Sequence, residues 1–252
     1  PLALPPEGDA TSLGGLTYRQ VRAVLAGAFA PRNLIIACVG PQPHAQWRDD
    51  VARLLPGDGV PTTPLPPLPV TTAPAAVTAT VGGQLSAIRL GSVVDVAAGD
   101  EAALGLLVAV LSDRLAMDLR ETRGLSYSAG ASAELEAGQA VLTAWLNPPV
   151  ARRDEGLAAL REFIAGFDPA TITGDEVARL HAARRGRLMM RRLSSLGQAY
   201  YLAMAELDGR LAAAAAAGGA ASPGDEVPSV AQLQAVAAKY LAGRPWVEVV
   251  VD

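Results

Sequence analysis

The sequence predicts an α+β fold: a mainly antiparallel sheet with helices packed on one face, preceded by a partial helix–strand–helix unit. Three observations lead there. From residue 76 onward, strand-like segments come first and runs of helix follow, an order that favours α+β over alternating βαβ units. Half of the 252 residues are apolar but only 4% are aromatic, so the core must be built from Ala, Val and Leu. A chain of this length can bury enough of them to be stable without disulfides. Finally, a helix, a short Pro- or Gly-containing turn and an apolar strand occur twice, in "LTYRQVRAVLAGAFAPRNLIIACVG" and in "VAQLQAVAAKYLAGRPWVEVVVD". That weak internal repeat suggests the tail of one α+β unit followed by the whole of a second.

Taken in order, Leu16, Val21, Val24, Leu25 and Phe29 recur at helical spacing, so a helix begins near Thr17, its N-cap. "RNLIIACVG" reads as a short buried strand, with Cys38 as a small core hydrophobe. "QPHAQWRDDVARLLPG" is a second helix, closed by Pro56 and Gly57. A lone strand makes no sheet, so its partners must come from elsewhere. Residues 57–75 are rich in Pro and Thr without periodicity and read as a semi-rigid linker. The expected domains are therefore 1–56, the linker 57–75, and a complete second unit over 76–252.

In that second unit, strands are expected around 76–81 and 84–91. A long helix should run from Gly99 to Gly124, broken near Ser112, with Glu101 in its first turn and Arg123 in its last, both matching the helix dipole. "LSYSAGASAEL" and "GQAVLTAWL" form a hairpin across "EAG". Pro148 and Pro149 open a helix to about Gly166, and Thr173 with Glu176 forms a capping box for the next. Helices around 195–208 and after Ser229, then the strand "PWVEVVVD", complete the unit. The Ala tract at 212–217 is compositional filler.

Much chemistry is excluded. The single cysteine rules out a disulfide framework and a thiolate metal cluster. The net charge of −4 with dispersed basic residues argues against nucleic acid, and no apolar run is long enough to span a bilayer. The Pro-rich opening has no signal-peptide pattern and reads as the start of a piece of a longer chain. The expected protein is soluble and cytoplasmic, with periplasmic or secreted placement left open. His44 and His181 are solvated helix histidines with no second His a turn away, so neither H-E-x-x-H nor H-x-x-E-H occurs. "GLSYS" approaches a nucleophile elbow at Ser126, but that motif runs strand to helix and this stretch runs helix to strand. The arginines at 184, 185, 187, 191 and 192 wrap around one helix and read as a solvated surface.

One pair remains, in "LRETRGLSYSAG" (119–130). Gly124 fits a helix C′ residue in the left-handed region, with Leu125 as the accompanying apolar contact. Such a corner fixes Arg120, from the last helical turn, relative to Tyr127, from the first residues of the strand. The two side chains could then reach over one end of the sheet into a cavity. The plainer alternative is that Arg120 binds its own helix carbonyls and Tyr127 packs on the strand.

"LRETRGLSYSAGASAELEAGQAVLTAWL", with "GQLSAIRLG" upstream, resembles the C-terminal, non-zinc half of the insulinase/pitrilysin (inverzincin) zinc metallopeptidases. "LTYRQVRAVLAGAFAPRNLIIACVGP" resembles the segment closing that family's N-terminal half. The resemblance implies two homologous α+β halves facing each other across a chamber, with zinc on the H-x-x-E-H half and none on this chain. It assigns Arg120 and Tyr127 to substrate binding, with the Tyr127 hydroxyl as the donor to the carbonyl oxygen. The implied partners are a zinc-bearing half or subunit and a peptide substrate, and a homodimer is another arrangement it allows. The alternative function is a non-catalytic structural or assembly subunit of the same fold.

Overall fold

In the computed structural model, which describes residues 8–55, 57, 67–136, 138–207, 209, 211 and 227–252, contacts group the chain into two units. One is Pro1–Pro66 with Arg191–Ala212, the other Pro67–Met190 with Ala213–Asp252.

The second unit is an α+β structure built on one five-stranded sheet. Its strands are β1 (Ala75–Ala79), β2 (Ala87–Asp95), β3 (Ala129–Glu136), β4 (Gln139–Leu146) and β5 (Val247–Val251). They lie in the order β1-β5-β2-β4-β3, with β1 parallel to β5 and every other pairing antiparallel. Side chains alternate across the sheet as the two-residue period of a strand requires. Ile88, Leu90, Ser92 and Val94 of β2 and Ala140, Leu142, Ala144 and Leu146 of β4 are buried. The residues between them are only half-buried.

Helices cover the buried face: α4 (Glu101–Leu115), α5 (Arg153–Ala165), α6 (Gly174–Arg191) and α8 (Val230–Tyr240). Helix α4 is apolar almost all round because it lies between β3 and α8. Two buried clusters result. One joins Val94 and Leu142 to Leu104, Leu107, Leu233 and Tyr240; the other joins Ile88, Leu90 and Leu146 to Leu115, Leu119, Leu125 and Leu160.

Several expectations need correction. The long helix does not break at Ser112, whose hydroxyl instead accepts the Ala131 N–H at 3.1 Å and ties α4 to β3. Its change comes at Ala116, where it rewinds as a π-helix to Thr122. Strand β2 runs to Asp95, beyond the predicted end at Gly91, because its far half pairs with β4 as far as Gln139. Half of the Thr173 capping box forms: Thr173 Oγ1 accepts the Glu176 N–H at 3.2 Å, but the Glu176 carboxylate is taken by Arg114 at 2.9 and 2.7 Å. A charge-assisted bidentate pair outcompetes a neutral backbone donor. His181 is half-buried rather than solvated. The described part of the expected linker is tied to the sheet, with Thr71 N–H donating to the Val93 carbonyl at 3.0 Å. Pro56, residues 58–66 and the Ala tract lie outside the described residues.

The first unit holds α1 (Ala10–Gly14), α2 (Tyr18–Ala28), α3 (His44–Leu54) and α7 (Ser195–Leu207). Helix α1 escaped the sequence reading. Thr17 caps α2 in a full box with Gln20. The predicted strand over "RNLIIACVG" is not formed. Pro31–Asn33 is a 3₁₀ turn, and Leu34 to Val39 run without secondary structure or strand pairing, because a strand is stable only where a neighbour takes up its N–H and C=O groups. Cys38 is accordingly exposed, not a core residue. None of α1, α2, α3 or α7 buries a residue, and Tyr18, Val24, Phe29, Ile35 and Ile36 are all open to solvent.

Two stability predictions arise here. The Ser92 hydroxyl is buried beneath the helices and has no hydrogen-bond partner among the described residues, a desolvation cost with no compensation there. Ser92→Ala is expected to raise stability by about 1 kcal/mol, read as an increased urea midpoint at unchanged slope. The second concerns acid. Hydrogen bonds from Arg114, Arg161 and Lys239 hold Glu176, Glu248 and Asp100 below the ordinary carboxylate values, and Ser86 followed by Arg153 does the same for Asp252. A carboxylate depressed in the folded state contributes stability above its unfolded pKa and loses it as pH falls through the folded one. Stability should therefore be level near neutrality and decline as pH drops below about 4.5 and 3.8, the ordinary Glu and Asp values, as checked by urea melts between pH 7 and 2.

Candidate functional site

The site begins where α4 changes pitch. From Ala116 to Thr122 each turn takes in an extra residue, and the Arg123 N–H closes on the Asp118 carbonyl five residues back at 2.8 Å. Gly124 then turns the chain with φ 55°, a conformation open to glycine and strained for a side chain. The Leu125 N–H reaches the Leu119 carbonyl at 2.9 Å, and the Leu125 side chain enters the buried cluster beneath. Short π segments inside helices are frequent at functional sites. Nothing in the apolar spacing of "LAMDLRETRG" distinguishes such a turn from an α-helical one, so sequence reasoning missed it.

Charged groups brace this corner from two sides. Arg152 Nη1 donates to the Gly124 carbonyl at 2.9 Å, while its Nε and Nη2 hold Glu155 at 2.8 Å each. Arg123 bridges Asp118 at 3.1 Å and Glu162 of α5 at 2.9 Å. Single exposed pairs of this kind contribute little, but together they hold the end of the helix against α5.

Beyond the corner, Ser126 sets the path. Its nearly buried hydroxyl donates to the Ser128 carbonyl at 2.8 Å and accepts the N–H groups of Ser128 and Asn147 at 3.1 Å each. A serine so engaged is a turn-former, not a nucleophile. Because that turn bends the chain, β3 starts only at Ala129. Tyr127 thus sits at the apex of a loop ahead of the strand, not in its first residues as the sequence suggested.

Arg120 and Tyr127 do come together. The guanidinium carbon lies 5.1 Å from the Tyr127 ring centroid, a cation–π contact. Its Nε pairs with Glu121 at 3.1 Å, and Arg120 donates to no helix carbonyl among the described residues. Tyr127 does not pack on the strand: it is 88% exposed. The expectation that the pair points into a cavity is corrected in one respect, since within this chain both groups face open solvent. A cavity of about 520 Å³ between α5, β5 and the end of α8 is lined by Phe167, Leu241, Trp246 and the Arg161–Glu248 pair among others, and by neither Arg120 nor Tyr127. The Ser126 turn explains this, because pinning the backbone inward at Ser126 and Ser128 directs the intervening side chain outward.

No three His, Cys, Asp or Glu side chains among the described residues converge to hold a metal ion.

The family described as "Peptidase M16 inactive domain" matches residues 15–183. A search of curated proteins finds no match. Among solved structures, the peptidase M16 inactive domain from Pseudomonas fluorescens superposes with a TM-score of 0.76 at 19% identity, covering 98% of this chain and 60% of that one. A protease from Helicobacter pylori gives 0.72 at 18% identity, covering 98% and 62%. A chain of complex III2 from Candida albicans gives 0.70 at 16%, covering 99% and 62%. The chain therefore spans about 60% of the length of the structures it matches first, and at these identities the likeness is one of fold.

Proposed function

The chain belongs to the peptidase M16 family, as an inactive domain of it, and from that premise we propose that it is the substrate-binding half of a zinc metalloendopeptidase acting on peptides, inactive alone. Tyr127 donates its hydroxyl to the peptide carbonyl as that oxygen gains negative charge, and Arg120 holds a neighbouring substrate carbonyl or carboxylate. The zinc belongs to a partner half carrying H-x-x-E-H.

One observation carries this reading. Arg120 and Tyr127 stand together on a braced corner, and the guanidinium is not spent on its own helix end. An exposed phenol at the apex of a fixed loop is an unusual investment for stability alone, and it is accessible to a substrate held against a facing half. The exposed apolar side chains of the first unit, Tyr18, Val24, Phe29, Ile35 and Ile36, are ones that docking of a partner half would cover. The second reading, a non-catalytic assembly subunit, draws on the same open position of Tyr127, which is 88% exposed and does not line the cavity between α5, β5 and α8.

Reconstitution tests the choice. The chain alone should bind no stoichiometric zinc and cleave no peptide, and adding a zinc-bearing half should produce cleavage of a quenched fluorescent peptide. Complex formation without cleavage favours the assembly subunit.

A further inference from the structure

A second cation stands close to the Tyr127 loop. Arg89 lies on β2 between Ile88 and Leu90, so its side chain leaves the sheet on the face opposite the helices, in register with Trp145 of β4 and Val249 of β5. It is half-buried. Its Nη1 donates to the Asn147 Oδ1 at 2.8 Å and to the Ile88 carbonyl at 2.9 Å, both neutral acceptors. Asn147 is in turn fixed to the loop, its N–H shared between Ser126 Oγ and the Ser128 carbonyl, each at 3.1 Å. Arg89 is thus one side chain removed from the residues flanking Tyr127.

Its charge is not balanced. Arg120, Arg123, Arg152 and Arg153 around the Gly124 corner each hold a carboxylate, whereas Arg89 has none among the described residues. Nε and Nη2 make no hydrogen bond within the described chain, which leaves one edge of the fork open. Burial alone pushes the guanidinium below its ordinary pKa, yet arginine keeps its proton at any physiological pH. A half-buried cation without a counter-charge costs stability, and the cost is recovered when an anion docks on the free edge. The indole of Trp145, the β4 partner of Arg89, lies over Gly130 of β3, where a Cβ would come within 2.6 Å of Cζ2.

We propose that Arg89 is a specificity-determining residue that receives a peptide carboxylate bidentately through Nε and Nη2, either an acidic side chain or the C-terminal carboxylate. This rests on the peptide-binding reading above and names the substrate class it prefers. The whole chain is −4, so long-range attraction does not supply the preference; it must come from this contact.

The test is titration calorimetry on the 252-residue chain at low salt with three acetylated hexapeptides of otherwise neutral sequence: a C-terminal amide, a free acid, and an amide with one internal glutamate. At least one acidic form should bind about tenfold or more tighter than the neutral amide, and which one gains identifies the carboxylate. Arg89→Gln should abolish the advantage while leaving neutral-amide affinity unchanged, and Arg89→Lys, which keeps the charge without the fork, should retain only part of it. Equal binding of all three peptides by the wild-type chain overturns the proposal, whatever the variants do. So does an undiminished advantage in a folded Arg89→Gln. Failure of every peptide to bind is a separate result that sinks the peptide-binding reading itself, and this inference with it.

Discussion

Tyr127→Phe is expected to lower cleavage by the reconstituted peptidase at least about tenfold, and toward the 10²–10³ typical of losing one oxyanion donor. The substitution is chosen because it removes a single atom. Phenylalanine keeps the ring on which the Arg120 guanidinium stacks at 5.1 Å, and the loop is held by Ser126 and Ser128, not by the phenol. Geometry and folding should therefore be preserved, leaving only the hydroxyl to account for a change. A donor that acts as charge develops on the carbonyl oxygen lowers kcat and kcat/KM together and leaves KM nearly constant. A group that merely binds substrate raises KM instead. Arg120→Ala should show that second pattern more strongly, because a guanidinium can hold a ground-state carbonyl or carboxylate as well as a transition state. An unchanged rate for Tyr127→Phe removes the pair from catalysis.

Legibility in the sequence followed locality. Thr17, Ser229 and Gly124 could be placed because a cap or a left-handed glycine is decided within a few residues, and the β3–β4 hairpin because alternation and a turn are both local. What was missed depends on distant partners. Leu34 to Val39 has the composition of a buried strand, but pairing is not a property of composition, and without a neighbour the segment and Cys38 stay open. Glu176 had the right spacing for a capping box, yet Arg114, 62 residues away, took its carboxylate. The pairing of Arg120 with Tyr127 was within reach because both belong to one corner. The link from Arg89 to Asn147 spans 58 residues and joins β2 to the residue just past β4, a pairing that no local motif announces. The π-turn left no mark, since the buried Leu115 and Leu119 that flank its start are four residues apart, a spacing that an ordinary α-helix shows as well.

That π-turn ties the site to the core, and Leu119→Ala should expose the connection. Leu119 is fully buried among Ile88, Leu115, Leu125, Leu146 and Leu160, its carbonyl receives the Leu125 N–H, and Arg120 is its immediate neighbour. Truncation removes apolar contacts and leaves a cavity, costing about 2–5 kcal/mol, a large share of the 5–15 kcal/mol that stabilises a typical domain. The urea midpoint should fall accordingly. Leu107, equally buried in the other cluster beside Leu104 and Tyr240, provides the comparison: Leu107→Ala should cost similar stability without reaching the corner. At a temperature where both variants remain folded, Leu119→Ala should lose peptidase activity and Leu107→Ala should retain it, because only the first loosens the seat from which Arg120 and Tyr127 are aimed. Equal activities at equal folded fractions would mean that the corner holds its shape without its buried leucine. In that case the polar braces from Arg152 and Arg123, not the core, set the geometry of the pair.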